Sequence, residues 1–278
     1  MSEPTVITSR DNPLLKRLRV LAQDNTAYRK QGQVWLEGDH LCRALLARGH
    51  RPAMAVFTDD FWVQAPHDLR DASDHTVTVP RALMATISGL ESPAGVGFVW
   101  DLPKATGLDV GRAAVVLDCL QDAGNVGSIL RSAAAFGFGQ VLALKGTAAL
   151  WSPKVLRAGM GAHFALRLVE GLSVDDLAAL DVPLLVTSSH QGDLLHQAAL
   201  PWPCAWVLGH EGQGVSAALQ AMASQSVRIA QPGGEESLNV AAAAAICLHA
   251  SASASASASA SASASASASA SASASAVR

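Results

Sequence analysis

Residues 225–249 read QSVRIAQPGGEESLNVAAAAAICLH, which divides into a short apolar run, a loop and a second apolar run. The apolar run at 227–230 predicts the end of a strand, and the Pro-Gly-Gly that follows breaks regular structure. The run at 240–248 predicts a buried helix, because Ala, Val, Ile and Leu dominate it. Ser237 and Asn239 stand at the mouth of that helix, where the first backbone N–H groups lack internal partners. These two side chains are therefore either N-caps or contacts for a polar ligand.

Two earlier segments show the same order of strand, Gly-containing turn and helix. The first is LDCLQDAGNVGSILRSA at 117–133, where Asn125 stands at the predicted start of a helix and Gly127 permits close approach by another element. The second is WVLGHEGQGVS at 206–216, which carries Glu211 as a general base or a polar anchor. Neither segment contains the GxGxxG or GK[ST] pattern of nucleotide-binding loops. If the strands are parallel, all three loops meet at one edge of the sheet, where such sheets bind ligands.

Arg131 is an unusual residue for its position, because it lies in a helix otherwise rich in Ala, Ile and Leu. A cation in such a helix needs an anion, an ion pair or an exposed face. An ion pair with Asp118 or Asp122 would give Arg131 a purely structural role. A negatively charged ligand would give it a functional role.

The chain as a whole predicts an α/β protein with two domains. Residues 1–100 alternate short strands and helices, including a helix at 61–71, and 101–112 form a linker. Residues 113–250 predict a mostly parallel sheet of about five or six strands, since its strands are apolar throughout. Residues 251–276 are an unbroken Ser-Ala repeat without any core-forming pattern, which either extends the preceding helix or is disordered.

Charge is unevenly distributed along the chain. The net charge is −3, yet residues 1–51 hold nine Lys and Arg against five Asp and Glu. Such an excess fits either a solvated helix face or a surface that contacts a polyanion.

The cysteines and the ends of the chain indicate a cytoplasmic protein. Four widely separated cysteines, Cys42, Cys119, Cys204 and Cys247, form neither a zinc pattern nor a disulfide framework. We therefore expect no bound metal. The first residues have no apolar signal segment, no membrane span is expected, and Ser makes up half of the C-terminal repeat.

Taken in order, QDAGNVGSILRSAAAFG, LGHEGQGVS and ESLNVAAAAAI resemble the motifs of the SpoU/TrmH family of RNA ribose methyltransferases. The resemblance covers about residues 1–250, and 1–100 look like the family's RNA substrate-binding domain with an L30e-like fold. It implies that 113–250 form an α/β domain with a deep trefoil knot. It also implies a homodimer, S-adenosylmethionine as the methyl donor, and tRNA or rRNA as the substrate.

The resemblance also assigns site residues. Its active-site positions fall on Arg131, Asn125, Glu211 and Asn239, and its cofactor positions on Thr187, Gly209, Ile229, Leu238 and Ser237. Three positions depart from the family pattern, since Ala123 and Ala230 replace common prolines and Gly159 replaces a frequent serine. None of these departures removes an assigned catalytic side chain.

Methyl transfer to a ribose 2′-hydroxyl requires RNA, and it requires help in removing a weakly acidic proton. Arginine is an awkward base because its guanidinium stays charged, so Arg131 fits better as a clamp on a phosphate and a stabiliser of negative charge. A role as base remains open. The alternatives are an RNA-binding protein that keeps the fold without catalysis, and a dinucleotide-dependent oxidoreductase, which the missing GxGxxG pattern disfavours.

Overall fold

A computed structural model of the chain describes residues 3–104, 107–188, 191–233 and 237–275, with side chains as far as residue 259. In this part of the chain the strands form two sheets, one of five strands before residue 102 and one of seven strands after residue 113.

The first sheet is mixed and has the strand order β1-β4-β3-β5-β2. Its strands are β1 (Thr5–Val6), β2 (Gln33–Glu37), β3 (Met54–Thr58), β4 (Thr76–Val79) and β5 (Val96–Asp101). Its helices are α1 (Pro13–Gln23), α2 (Ala27–Gln31), α3 (Asp39–Ala47), α4 (Asp59–Gln64), α5 (His67–Arg70) and α6 (Arg81–Ile87). Apolar residues of α1 and α6 pack on one face, and those of α3 and α5 belong to a separate core cluster.

One helix of this half is predicted wrongly. The structure replaces the helix expected at 61–71 with two short helices, α4 and α5. Pro66 stands between them, and proline lacks a backbone N–H and drives the preceding residue out of the helical region. Ala65 accordingly has extended backbone angles.

The second sheet has the order β10-β12-β9-β11-β6-β7-β8, and all of its described pairings are parallel. Its strands are β6 (Ala114–Leu117), β7 (Gln140–Leu144), β8 (Arg167–Leu172), β9 (Leu184–Thr187), β10 (Asp193–Leu194), β11 (Ala205–Leu208) and β12 (Gln225–Arg228). The sheet thus exceeds the predicted five or six strands. The strand expected at 227–230 lies two residues earlier, because its partner β9 ends at Thr187, opposite Val227.

Four α-helices accompany this sheet in the described residues: α7 (Ala123–Ala135), α8 (Pro153–Gly159), α9 (Ala217–Met222) and α10 (Val240–Ser275). Two 3-10 helices, Ala162–Ala165 and Asp175–Leu180, lie in the same half of the chain. Helix α7 begins before Asn125, contrary to expectation, because the Asp122 carboxylate caps it by accepting from the Asn125 backbone N–H at 2.8 Å. The close approach predicted at Gly127 is confirmed. A Cβ there would lie 2.4 Å from the Cβ of Ala158 in α8.

Helix α10 continues through the Ser-Ala repeat without a break at residue 251. Ser251 is only 1% exposed, and its hydroxyl accepts a hydrogen bond of 2.9 Å from the indole N–H of Trp206. Leaving the whole repeat out of the fold was therefore wrong for its first residue. By length and composition the stretch Val240–Ser259 could cross a membrane, which the sequence analysis did not expect. Within this stretch, Ala244, Cys247 and Leu248 are buried against the rest of the protein.

Side chains of the two halves of the chain contact one another. The Tyr28 hydroxyl donates to the Glu170 carboxylate at 2.6 and 2.7 Å, and Trp100 packs at a tilt against Trp151 and edge-on against Phe164. Residues 105–106 of the expected linker lie outside the described residues.

Candidate active site

Three loops meet at the carboxyl edge of the second sheet, as the parallel arrangement requires. They follow β6, β11 and β12. Each loop, or the first turn of the helix after it, contributes a polar side chain to one hydrogen-bonded group: Asn125, Glu211 and Asn239. These are three of the four residues that the resemblance placed in an active site.

Glu211 joins the second loop to the first. Its carboxylate accepts hydrogen bonds from the backbone N–H groups of Gln121 (3.3 Å) and Asp122 (3.1 Å) and from the side-chain amide of Asn125 (3.2 Å). Partial burial alone would raise the pKa of Glu211. Those bonds, with one from its own backbone, outweigh burial and lower the pKa of the carboxyl below its usual value. Glu211 is thus an anionic anchor for the first loop at neutral pH.

Asn239 joins the third loop to the same group. Its amide nitrogen donates to the side-chain oxygen of Asn125 at 3.0 Å. Its own side-chain oxygen accepts from the backbone N–H groups of Ala241 (2.9 Å) and Ala242 (3.2 Å), so it caps α10. The two interpretations of Asn239 are therefore compatible, because the cap uses the oxygen and leaves the amide nitrogen for the site.

Arg131 stands apart from this group. It is exposed, six residues after Asn125, and its guanidinium has neither a hydrogen bond nor an ion pair with any residue that the structure describes. The ion-pair explanation from the sequence is wrong. The Asp118 carboxylate accepts from the backbone N–H of Ser216 at 2.7 Å, and Asp122 caps α7 and faces Lys154 at 3.9 Å.

A cavity of about 560 Å³ adjoins the hydrogen-bonded group. All five residues expected at cofactor positions line it: Thr187, Gly209, Ile229, Leu238 and Ser237. Glu211 and Asn239 also line it. Its volume falls in the range of about 300 to 1,000 Å³ that is common for small-molecule sites.

The wall of the cavity at Gly209 is made of closely packed backbone. A Cβ at this position would lie 2.1 Å from the carbonyl carbon of Gly214, so only glycine fits. The loop folds back because the backbones of His210 and Gly214 exchange hydrogen bonds of 3.0 and 2.8 Å. A ligand beside Gly209 would therefore contact main-chain atoms.

His210 is a site residue that the sequence analysis missed. It lines the cavity, and its ring Nδ1 accepts from the backbone N–H groups of Gly212 (3.0 Å) and Gln213 (3.3 Å). His210 could have been noticed because it stands at the start of a Gly-rich turn. At such positions a side-chain acceptor often bonds the backbone N–H two residues later.

Two further sequence features concern the surroundings of the site. A serine in place of Gly159 would clash, since a Cβ there would lie 2.5 Å from the buried ring of His163. This explains why the chain departs from the family pattern at that position. Gly234 and Glu236 of the third motif lie outside the described residues.

Comparison of the sequence with protein families finds a match to the SpoU rRNA Methylase family over residues 112–249. A relative from Synechocystis, named an uncharacterized tRNA/rRNA methyltransferase, is 33% identical over 256 residues, which cover 87% of this chain and 91% of the relative. The 23S rRNA (guanosine(2553)-2′-O)-methyltransferase RlmP of Bacillus subtilis is 30% identical over 211 residues, covering 75% and 84%.

Solved structures show the same architecture. A proposed RNA methyltransferase of the TrmH family from Porphyromonas gingivalis has a TM-score of 0.75 at 32% identity, covering 85% of this chain and 96% of that one. A structure named RNA 2′-O ribose methyltransferase has a TM-score of 0.72 at 29% identity, covering 89% and 98%. An AdoMet-bound rRNA methyltransferase from Sinorhizobium meliloti, 24% identical, shares the fold with a TM-score of 0.77 over 90% and 98%.

Proposed function

This chain belongs to the SpoU family of RNA methyltransferases, and on that premise we propose that it methylates a ribose 2′-hydroxyl of tRNA or rRNA. The observation that carries the proposal is the hydrogen-bonded group of Asn125, Glu211 and Asn239 at the edge of the cavity. Polar side chains from three separate loops converge beside a cavity of small-molecule size, as a catalytic or binding site requires.

S-adenosylmethionine is the cofactor, and the cavity fits it. It combines apolar walls at Val227, Ile229 and Val240 with polar groups at Thr187 and Ser237, as a ligand with an adenine ring and a charged amino-acid end requires. We assign Gly209, Ile229 and Leu238 to main-chain contacts with the cofactor. When bound, S-adenosylmethionine supplies an electrophilic methyl group on a sulfonium.

The residues of this chain would bind and orient the acceptor. Glu211 holds the first loop through two backbone N–H groups, and with Asn239 it fixes both ends of the Asn125 amide. Arg131 has no described partner and can therefore bind a phosphate next to the reacting ribose. Its fixed positive charge would stabilise the oxygen as negative charge develops.

The choice of the ribose hydroxyl is supported by two similar proteins. RlmP is by name a guanosine 2′-O-methyltransferase, and one structural neighbour carries the name RNA 2′-O ribose methyltransferase. The basic surface of residues 1–51 suits a polyanion such as RNA.

The test is transfer of radioactive methyl from S-adenosylmethionine to unmodified tRNA and rRNA transcripts, followed by digestion to nucleosides. The expected product is a 2′-O-methylnucleoside. A product methylated on the base would overturn the ribose assignment. Binding of S-adenosylmethionine without transfer to any transcript would favour the non-catalytic RNA-binding alternative.

The remaining expectations are part of the same proposal. These are the trefoil knot, the L30e-like character of residues 1–100 and the homodimer. The dimer is supported by two large apolar side chains that remain exposed, Leu238 just before α10 (41%) and Ile246 within it (42%). Sedimentation of the purified protein would show twice the mass of one chain if the dimer exists.

A further inference from the structure

The imidazole ring of His210 bonds the backbone of the loop that carries Glu211. Its Nδ1 atom accepts two backbone hydrogen bonds, from Gly212 at 3.0 Å and from Gln213 at 3.3 Å. Since a nitrogen that accepts must be unprotonated, the neutral ring carries its hydrogen on Nε2. A second proton would have to be added to Nδ1, where it would face two N–H donors.

The loop that these bonds hold also shapes the site. His210 and Gly214 exchange two backbone hydrogen bonds, which press Gly214 against Gly209 in the wall of the cavity. Glu211 follows His210 directly and holds the first loop through Gln121 and Asp122. A change at the His210 ring is therefore transmitted to the cavity wall and to the polar group.

The charges around His210 are few. Glu211 is its neighbour and turns its carboxylate to the first loop, where Asp118 bonds Ser216 and Asp122 faces Lys154. The other described side chains that line the cavity, on β9, β12 and α10, are uncharged. Glu235 and Glu236 lie outside the described residues.

We propose that His210 is a positioning residue that holds the Glu211 loop in its binding form only while its imidazole is neutral. Cofactor binding and methyl transfer are then lost in mild acid, because protonation of Nδ1 removes the acceptor of both backbone N–H groups. The part that concerns methyl transfer rests on the proposed function. Glu211 does not produce this acid sensitivity, since its pKa is lowered and it stays ionised where imidazoles titrate.

The test compares His210→Asn with His210→Ala, using S-adenosylhomocysteine as the probe in calorimetry from pH 5.5 to 8. Asparagine places an oxygen near the position of Nδ1 that accepts but cannot be protonated in this range. For the wild type we expect affinity to fall between pH 7.5 and 5.5, because a proton on Nδ1 removes the acceptor of both backbone N–H groups. His210→Asn should stay within about threefold across the range, and His210→Ala should bind weakly at every pH.

A matched control is His196→Asn, an exposed histidine that does not line the cavity, which should reproduce the wild-type profile. Thermal unfolding of each variant shows whether it is folded. Nitrogen NMR of the wild type gives an independent measurement, since the neutral ring must be protonated on Nε2.

Coincident profiles of wild type and His210→Asn would overturn the proposal, and so would a ring protonated on Nδ1. These measurements do not use RNA. If they succeed while no transcript is methylated, the proposed function fails and the role of His210 in the loop stands.

Discussion

Asn125 shows how much one side chain contributes when both of its ends are engaged. Its amide nitrogen donates to Glu211 and its oxygen accepts from Asn239, so a single residue joins the loops after β6, β11 and β12. The sequence marked all three residues through a family resemblance. Only the packed loops show that they contact one another.

At Arg131 we predict a separation of catalysis from cofactor binding. Arg131→Ala should reduce methyl transfer at least a hundredfold, as removal of a charge-stabilising group does. Affinity for S-adenosylmethionine should change by no more than a few fold, because Arg131 does not line the cavity. Single-turnover rates and calorimetry measure the two effects. A large loss of cofactor affinity with normal turnover at saturation would contradict the role.

His163 should make the folded state sensitive to acid. Burial lowers the pKa of its imidazole to about 4, although the ring also hydrogen-bonds the Leu150 carbonyl at 2.9 Å. The unfolded chain takes up this proton near pH 6.5, so the contribution to stability is complete above about pH 6.5 and is lost as pH falls toward 4.

The corresponding experiment is urea unfolding of wild type and His163→Gln in a pH series. The variant has no imidazole to protonate but keeps a donor for Leu150. Between pH 6.5 and 4.5 the wild type should lose about 2–3 kcal/mol more free energy of unfolding than the variant. Parallel curves would show that burial of His163 is unimportant for acid stability.

Among the elements, α10 combines three tasks in one helix. It begins at the Asn239 cap beside the site, buries Ala244, Cys247 and Leu248 against the sheet, and continues as Ser-Ala repeat. The first serine of the repeat belongs to the core, because it is the partner of the buried Trp206 indole. Composition alone placed the end of the folded region one residue too early.

We predict that the repeat is dispensable only beyond its first turn. Ser251→Ala leaves the Trp206 N–H without an acceptor and should cost about 1–3 kcal/mol of unfolding free energy, whereas the exposed Ser257→Ala should change it by less than about 0.5. Deleting 259–278 should preserve stability and methyl transfer, while deleting 251–278 should destabilise the protein. Chemical denaturation and transfer assays measure both, and equal stability of the two truncations would contradict this assignment.

On the scale of the whole molecule, charge and chemistry lie in different halves of the chain. Residues 1–51 carry the basic excess, and residues 105–278 hold eight Lys and Arg against eleven Asp and Glu. The halves are joined by Tyr28, Arg29 and Glu170 and by a cluster of aromatic rings. RNA held by the first half would therefore be presented to the second at a defined position.

The structure refines which basic groups should bind RNA. Lys16 and Arg17 on α1 are exposed, and their partners, Asp11 at 3.3 Å and the side chain of Gln33, are surface contacts. Arg19 instead bonds the backbone and side-chain oxygens of Thr86 in α6 at 2.8 and 3.0 Å. Replacing Arg19 would thus disturb packing as well as charge.

We therefore predict that Lys16→Gln with Arg17→Gln weakens RNA binding and lowers its salt dependence by about one to two units of slope, because fewer counterions are released. Cofactor affinity should not change. Arg48→Gln with Arg51→Gln is a control of equal charge change, at exposed positions in the connection between α3 and β3. The measurement is RNA affinity at several salt concentrations for the wild type and both double variants. An unchanged slope would move RNA recognition to Lys154 and Arg157 on α8.

Elements whose causes are local could be predicted from the sequence. Apolar strands predict the parallel sheet after residue 113, and the apolar run at 240–248 predicts the first turns of α10, because these patterns depend on neighbours along the chain. The resemblance carried by three motifs indicated Asn125, Glu211 and Asn239, which the structure brings together, but it did not indicate His210. Strands at sheet edges, such as β1 and β10, escaped prediction, since their two residues have too little pattern of their own.

The tertiary structure alone decided contacts between residues far apart in sequence. It showed that Arg131 has no described carboxylate partner, that Ser251 belongs to the core, that His163 occupies the space a serine at 159 would need, and that His210 holds its loop. The physical reason is common to these cases. Whether a polar group is an ion pair, a cap or a free ligand depends on which donors and acceptors folding brings within about 3 Å of it.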